Sequence, residues 1–240
     1  MKFSGSLGEY EVIQTEDGSF SLFSEAFNEG CHSSHGAATE TRYVYIDGCE
    51  VADRKSKCIF EVGFATGLGF IETSKVLEDF IFYSTELDEK LVLWAQEKNK
   101  IFDTFEKVGN AYVGTKGSAK AVILIGDARE TIKEHSFKLP FDAIYQDAFS
   151  PKRNPTLWTK EWFEDLKELS SDEVILSTYS ASSRVKKALF AAGWIVEERE
   201  GFAFKRSATR GFLKGEHSDQ LLKKLENPKI LPYTDSEINS

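Results

Sequence analysis

The 240-residue sequence has no apolar run that approaches the roughly eighteen residues a membrane-spanning helix requires. Its first six residues also lack the long apolar segment of a secretory signal peptide. It has only three cysteines, Cys31, Cys49 and Cys58, which form no C-x-x-C pair. These absences exclude a disulfide framework and predict a cytoplasmic protein without a membrane partner.

Positive charge is also scarce, since 30 Lys and Arg face 39 Asp and Glu for a net charge of -9. This balance argues against a protein that coats nucleic acid through bulk electrostatics, and we predict no binding to DNA. Basic residues are nevertheless concentrated between Arg184 and Lys214, where eight outnumber three acidic residues. This segment is either a basic binding face or a solvated surface.

Motifs for several common chemistries are missing as well. Cys31, His32 and His35 place three possible metal ligands within five residues, but no second cluster supplies a fourth, and we predict no metal site. The sequence also lacks the Gly-x-Ser-x-Gly elbow of serine hydrolases and the Gly-x-x-x-x-Gly-Lys-Ser/Thr phosphate loop. Serine-hydrolase and P-loop chemistry are therefore unsupported.

The middle of the chain alternates β-rich runs with helical patterns, which is typical of βαβ units around a parallel sheet. We predict strands at Cys58–Gly63, Ile81–Thr85, Ala121–Ile125, Phe141–Gln146 and Glu173–Ser177, and helices at Gly67–Glu78, Glu89–Asn99, Arg129–Glu134, Thr159–Leu169 and Ser182–Ala192. Trp194–Glu200 and Phe202–Ser207, separated by a turn at Glu200-Gly201, indicate a closing antiparallel hairpin.

The first of these strands runs into a glycine-containing turn with the sequence Glu-Val-Gly-Phe-Ala-Thr-Gly-Leu-Gly, residues 61–69. Glycines in such a turn let a ligand approach the backbone at the start of a helix. The Gly63-x-Ala65-x-Gly67 spacing, with Glu61 before it, is the compact form found in methyltransferases, and it predicts an S-adenosylmethionine site. We assign to it Glu61, Gly63, Phe64, Ala65, Thr66 and Gly67. By itself the pattern also fits a purely structural turn.

Acidic residues end the next two strands. Glu86 can accept hydrogen bonds from two ribose hydroxyls, and Asp127, followed by Ala128, can accept one from the adenine amine. Either carboxylate taken alone also fits a helix N-cap. Together with an antiparallel last strand, they predict an α/β fold of the class I S-adenosylmethionine-dependent methyltransferase type, Rossmann-like, with a mostly parallel seven-stranded sheet.

The fourth strand ends at Asp147, where ligands of open α/β sheets bind. A carboxylate there suits an amine acceptor, because it can orient the nitrogen and accept its proton. We predict Asp147 as the catalytic residue, with a substrate-binding set made of Phe149, Pro151, Lys152, Arg153, Trp158, Tyr179, Lys205 and Arg206. The alternative is a proline-stiffened loop with a helix-capping aspartate.

Several segments resemble the MnmC-type tRNA 5-aminomethyl-2-thiouridine methyltransferases over about Phe20 to Arg210. They are 23–27, 32–33, 36–37, 40–46, the glycine turn, 147–151, 154–155, Trp158 and 201–206. The resemblance implies methylation of the aminomethyl group of a wobble uridine in a tRNA anticodon loop, with Asp147 as the catalytic acid. Ala65 and Gly69 depart from it, since the family usually has Gly and Asn there.

The resemblance also bears on domain organisation. We divide the chain into an N-terminal β-rich appendage (1–55), a methyltransferase domain (56–210) and a polar, loosely attached C-terminal tail (211–240). The appendage includes strand-like pieces at Tyr10–Thr15, Ser19–Phe23 and Arg42–Ile46. Some family members carry a fused FAD-dependent oxidase, for which this chain has no room, so we expect a stand-alone methyltransferase and a separate upstream oxidase.

Three other functions remain open at this point. The same fold and acidic strand end suit a transferase that methylates a small-molecule amine or uses decarboxylated cofactor to make a polyamine. The glycine turn and Glu86 also suit an NAD-binding oxidoreductase. A non-catalytic module that binds the cofactor as a sensor is the last alternative.

Overall fold

The computed structural model describes residues 1–203 and 206–238, which form a small N-terminal sheet and a large mixed sheet. Across these residues, every helix is too short or too polar to cross a lipid bilayer. The predicted α/β architecture with parallel central strands and an antiparallel last strand is present, with differences at both edges of the large sheet.

The small sheet is antiparallel and contains β1 (Lys2–Ser4), β2 (Glu9–Gln14), β3 (Phe20–Ser24) and β4 (Glu29–Gly30). It is followed by α1 (Ala37–Thr41), a π-helical turn (Arg42–Ile46) and α2 (Val51–Arg54). The strand prediction for Arg42–Ile46 is therefore wrong. Its β-branched and aromatic residues suggest a strand, but Val44, Tyr45 and Ile46 are all buried, and this packing outweighs local propensity.

The remaining elements build the large sheet and its helices. The strands are β5 (Cys58–Val62), β6 (Ile81–Glu86), β7 (Thr104–Val108), β8 (Ala111–Lys116), β9 (Ala119–Ile125), β10 (Phe141–Gln146), β11 (Ser170–Thr178), β12 (Ile195–Glu200) and β13 (Ser207–Phe212). The helices are α3 (Leu68–Thr73), α4 (Glu89–Asn99), α5 (Ala128–Glu134), α6 (Lys160–Glu168), α7 (Ser183–Ala191), α8 (Asp219–Leu225) and α9 (Asp235–Ile238), with a 3₁₀ turn at Pro155–Trp158.

The strand order in the described residues is β12-β13-β11-β10-β5-β6-β9-β8-β7. The five predicted central strands pair in parallel and are buried on both faces, as expected for a sheet covered by helices on each side. Helices α5 to α8 cover one face, while the π-helical turn, α3 and α4 cover the other. The parallel strands therefore end together at one edge.

Both ends of this sheet differ from the prediction. Strands β7 and β8 form an unpredicted antiparallel hairpin beside β9, so the described sheet has nine strands where seven were predicted. The antiparallel last strand is confirmed between β11 and β12 and is described from Ser207. Of the strand predicted at Phe202–Ser207, Phe202 and Ala203 are not in a strand, and residues 204–205 lie outside the described residues. The exposed pattern of β7 carries little hydrophobic signal.

The segment after β13 packs onto the domain, contrary to the expected loose attachment. Leu221 and Leu225 of α8 are buried in the hydrophobic core. Asp235 accepts two hydrogen bonds from Arg129, at 2.6 and 2.5 Å. The boundaries at residues 55/56 and 210/211 stay a prediction, although β13 extends past the second to Phe212.

The buried carboxylate of Asp88 joins the small sheet to the large one. It caps α4 by accepting from the Lys90 amide at 3.0 Å. It also accepts from the Ser6 and Leu7 amides at 2.8 and 3.1 Å and from the Tyr10 hydroxyl at 3.0 Å. Burial opposes ionisation, but the hydrogen bonds from Ser6, Leu7 and Tyr10 outweigh it and lower the pKa of Asp88.

Replacing Asp88 with alanine should lower the free energy of unfolding by about 2 to 4 kcal/mol, because a cap and several charge-assisted bonds are lost together. Because the folded-state pKa of Asp88 is lowered, the wild-type advantage should be full above the ordinary value of 3.8 and shrink as pH falls below it. Urea unfolding from pH 3 to pH 7 measures this.

Ser218→Ala is the control, because it removes only the cap of α8, and it should lower the free energy of unfolding by about 1 kcal/mol. An equal loss in both variants would contradict the role of Asp88 in joining the two sheets.

Candidate functional site

A cavity of about 580 Å³ lies at the carboxyl ends of the parallel strands. The large sheet contributes residues after β5, β6, β9, β10 and β11, and the small sheet and the segment before α1 supply the facing wall. Ligands of open α/β sheets bind at this edge. Of the residues predicted from sequence, Gly63, Ala65, Glu86, Asp127, Ala128, Asp147, Phe149 and Tyr179 line the cavity.

The glycine turn adopts left-handed backbone conformations at Gly63, Ala65 and Gly67, with φ of +92°, +45° and +76°. A side chain at Gly63 would lie 3.4 Å from the Asp147 carbonyl oxygen, so the turn and the end of β10 are in contact. Gly67 caps α3. Phe64 and Thr66 are buried and do not line the cavity, and their part in cofactor binding stays a prediction.

Glu61 lies beneath the turn and is almost completely buried. Its Oε2 accepts from the Ser84 hydroxyl at 2.9 Å. Burial, followed by the charges of Asp147 and Glu86, raises the pKa of Glu61 well above its usual value. A Cβ atom at Gly69 would lie 1.7 Å from Glu61 Oε1. Glycine at position 69 therefore leaves room for this carboxylate at the start of α3.

Glu86 and Asp127 both line the cavity but differ in their contacts. Glu86 accepts from the Ala65 and Asp88 amides, both at 3.0 Å, and burial raises its pKa despite these bonds. It therefore connects the end of β6 to the glycine turn. Asp127 caps α5 by accepting from the Arg129 amide at 2.8 Å, so the helix-cap interpretation holds for this residue, and its side chain is also exposed to the cavity.

Asp147 immediately follows β10 and receives a hydrogen bond at Oδ1 from the hydroxyl of Tyr45 in the π-helical turn. Tyr179, just beyond β11, donates to the Ala148 carbonyl at 2.9 Å. Burial, and next the negative charge of Asp147, raises the pKa of Tyr45 and of Tyr179 well above the usual value. Both hydroxyls are therefore protonated donors at neutral pH.

The loop after Asp147 is attached to the small sheet. Glu29 of β4 accepts from the Ser150 amide at 3.2 Å and from its hydroxyl at 2.6 Å, and the Phe27 and Phe149 rings stack at 4.3 Å. Trp158 is fully buried and donates to the Phe149 carbonyl at 2.8 Å, so it supports the loop from below. The predicted binding residues Pro151, Lys152 and Arg153 lie on this loop outside the cavity lining.

Carboxylates dominate the charge of the cavity. Glu29, Glu40, Glu86, Asp127 and Asp147 line it, and among the described residues no lysine or arginine does. Such a site favours a ligand with positive charge. Glu29 and Glu40 were not predicted as site residues, since they come from β4 and α1, far from Asp147 in sequence, and only the tertiary fold brings them to the same cavity.

In the basic segment Arg184–Lys214, most of the described basic side chains are engaged in contacts within the fold. The side chains of Arg184, Lys186, Arg210 and Lys214 pair with acidic residues, Lys187 donates to the Leu225 carbonyl, and Arg199 donates to the Tyr43 carbonyl. Arg206 is exposed, and Lys205 lies outside the described residues. Much of the predicted basic face is therefore used inside the fold.

Replacing Ala65 with glycine should raise the free energy of unfolding by about 1 kcal/mol, because the left-handed backbone is strained for alanine and relaxed for glycine. Ala191→Gly, at an exposed helical position, should lower it. Thermal and urea unfolding measure both. A destabilised A65G variant would show that the alanine methyl group contributes packing that exceeds the strain.

Replacing Glu61 with glutamine should stabilise the ligand-free protein at neutral pH, because glutamine keeps the Ser84 contact without a buried charge. Since the folded-state pKa of Glu61 is raised, the gain in stability should disappear as pH falls to the ordinary value of 4.5.

Glu72→Gln is the matched control. This equally buried carboxylate pairs with Arg42 and Lys75 at 2.9 and 2.5 Å, and its loss should destabilise the protein. Urea unfolding against pH distinguishes them; destabilisation by E61Q at pH 7 would contradict the argument.

Comparison with known proteins agrees with this geometry. The family model of S-adenosyl-L-methionine-dependent methyltransferases matches residues 93–214, just over half of the chain. A bifunctional protein of Leptospira interrogans, tRNA 5-methylaminomethyl-2-thiouridine biosynthesis protein MnmC, is 29% identical over 237 residues. The match covers 88% of this chain and 35% of that protein, so the chain spans about a third of the relative's length.

Two solved structures are similar over nearly the whole chain. The crystal structure of MnmC2 from Aquifex aeolicus has a TM-score of 0.75 and 25% identity, covering 96% of this chain and 80% of that one. Spermidine synthase in complex with a transition-state analogue has a TM-score of 0.63 and 14% identity, covering 98% and 82%. The second likeness concerns the fold alone.

Proposed function

The chain belongs to the S-adenosyl-L-methionine-dependent methyltransferases, and we propose that it N-methylates the 5-aminomethyl group of the wobble (2-thio)uridine in tRNA. The observation that carries the proposal is Asp147, which faces a cavity lined by carboxylates and no described lysine or arginine. Both the sulfonium of the cofactor and a protonated alkylamine are cations. A negatively charged site therefore suits both the cofactor and the amine.

The described residues fit the cofactor. Gly63 and Ala65 line the cavity, and Glu86 lies beside this turn, where it would accept hydrogen bonds from the ribose hydroxyls. Asp127 and Ala128 line the same cavity and would contact the adenine. Glu61 lies beneath the glycine turn and would attract the ammonium group at the amino-acid end of the cofactor. When bound, S-adenosylmethionine supplies a methyl group on a positively charged sulfur.

Asp147 would act on the acceptor nitrogen. An alkylamine is mostly protonated at neutral pH, so it must lose a proton before it attacks carbon. In the proposed step Asp147 orients the amine and accepts its proton, the nitrogen–carbon bond forms and the carbon–sulfur bond breaks. Most of the rate should come from holding the nitrogen in line with the methyl group.

The tRNA part of the proposal is supported by the tRNA-modifying function of the MnmC relative and by an aromatic pair at the cavity. Phe27 and Phe149 line it and offer ring faces on which a single-stranded base can stack. Lys152 and Arg153 are exposed on the same loop, where they can contact phosphates. Among the predicted substrate-binding residues, Arg206 and Lys205 stay predictions, as does the separate upstream oxidase.

The test is incubation of the protein with labelled S-adenosylmethionine and tRNA bearing aminomethyl-uridine, followed by mass analysis of nucleosides. We expect a gain of one methyl group on that base. A parallel reaction with a small primary amine, and one with decarboxylated cofactor, examine the small-molecule alternatives. Methyl or aminopropyl transfer to the small amine without modification of the tRNA would overturn the tRNA proposal.

Replacing Asp147 with asparagine should reduce kcat by about 100-fold or more, because the amide cannot accept the proton. Binding of S-adenosylmethionine, measured by calorimetry, should stay within about threefold, since the main cofactor contacts remain. Asp53→Asn, at an exposed position outside the cavity, is the control and should retain full turnover. Unchanged turnover in D147N would remove Asp147 from the mechanism.

A further inference from the structure

The π-helical turn at Arg42–Ile46 is the feature that the predicted mechanism does not use. The hydrogen bond that defines this turn runs from the Asp47 amide to the carbonyl of Arg42, five residues earlier, at 2.9 Å. In a regular α-helix, positions five residues apart point about 140° away from each other. Here Glu40 lines the cavity, and Tyr45, five residues later, donates a hydrogen bond to Asp147, which lines the same cavity. Single π-helical turns often occur at functional sites.

The rest of the fold holds this turn firmly. Ser177 of β11 donates to the Val44 carbonyl, and Arg199 of β12 donates to the Tyr43 carbonyl at 3.0 Å. The Tyr45 ring is buried and packs against the Tyr145 ring at 5.4 Å. The Tyr45 hydroxyl is therefore a fixed donor at the end of β10.

Asp147 has a particular need for such a donor. Its charge acts on Glu61 across the floor of the cavity, and together with Glu29 and Glu40 it acts on the Tyr179 hydroxyl. Carboxylates gathered in this way repel one another and favour protonation of some of them. A hydrogen bond from a neutral hydroxyl stabilises the charged carboxylate and fixes its plane without bringing a cation that would repel the cofactor or the amine.

We propose that Tyr45 is a positioning residue, which holds the Asp147 carboxylate charged and oriented toward the acceptor amine. The proposal rests on the function proposed above and adds a residue that acts through Asp147 rather than on the substrate. Tyr45→Phe should lower kcat by about tenfold, since a hydrogen bond to a charged group is lost. The KM for S-adenosylmethionine should change by less than about twofold, because Tyr45 does not line the cavity.

A double-mutant cycle separates positioning from a general structural effect. With asparagine at position 147 the charge that Tyr45 holds is gone, so Tyr45→Phe in that background should lower kcat by less than about twofold. The matched control is Tyr145→Phe, which removes a neighbouring buried hydroxyl bonded to Thr73 at 2.9 Å. It should destabilise the fold without reproducing the dependence on Asp147.

Folding is checked separately by the same cycle in urea unfolding, so that a poorly folded variant is recognised. A tenfold loss in Y45F that vanishes beside D147N supports the proposal. A folded Y45F variant with wild-type kcat, or losses that multiply in the double variant, would overturn it. A wild-type protein that modifies no tRNA contradicts the proposed function instead, whereas an active wild type with an equally active Y45F contradicts only the role of Tyr45.

Discussion

Buried carboxylates need hydrogen-bond donors, and this constraint shapes the region around the cavity. The buried Asp88 accepts from backbone amides and Tyr10, and the buried Glu61 accepts from the Ser84 hydroxyl. The half-buried Glu86 accepts from backbone amides, and the half-buried Asp147 accepts from the Tyr45 hydroxyl. These donors are neutral, so they add no positive charge to the cavity. This arrangement suits the sulfonium and the amine of the proposed reaction.

The small N-terminal sheet is part of the site rather than a separate attachment. Asp88 joins it to the end of β6, and Glu29 joins it to the loop after Asp147. Asp88 lies just after β6 of the large sheet, whereas Glu29 lies in β4 of the small sheet. The small sheet is therefore attached to the large one from both sides of the connection.

The positive charge of the basic segment Arg184–Lys214 is less available for binding than the sequence suggests. The lysines and arginines near the C-terminus mostly join elements to one another, as Arg210 does with Glu50 and Glu197. The remaining candidates for phosphate contacts are few and exposed, such as Lys152 and Arg153. Recognition of an anticodon loop would then depend more on stacking against Phe149 and Phe27 than on bulk electrostatics.

The sequence alone determined the central strands, their helices and the acidic residues that end β6, β9 and β10, because hydrophobic periodicity and strand-end position are local properties. Local pattern failed at Arg42–Ile46, where burial against the sheet selects a helical turn over a β-like composition. It also failed at β7, β8 and the start of β13, where pairing with distant strands decides the structure. The contacts of Asp147 with Tyr45, and of Ser150 with Glu29, join positions more than a hundred residues apart, so only the tertiary structure decided which side chains complete the site.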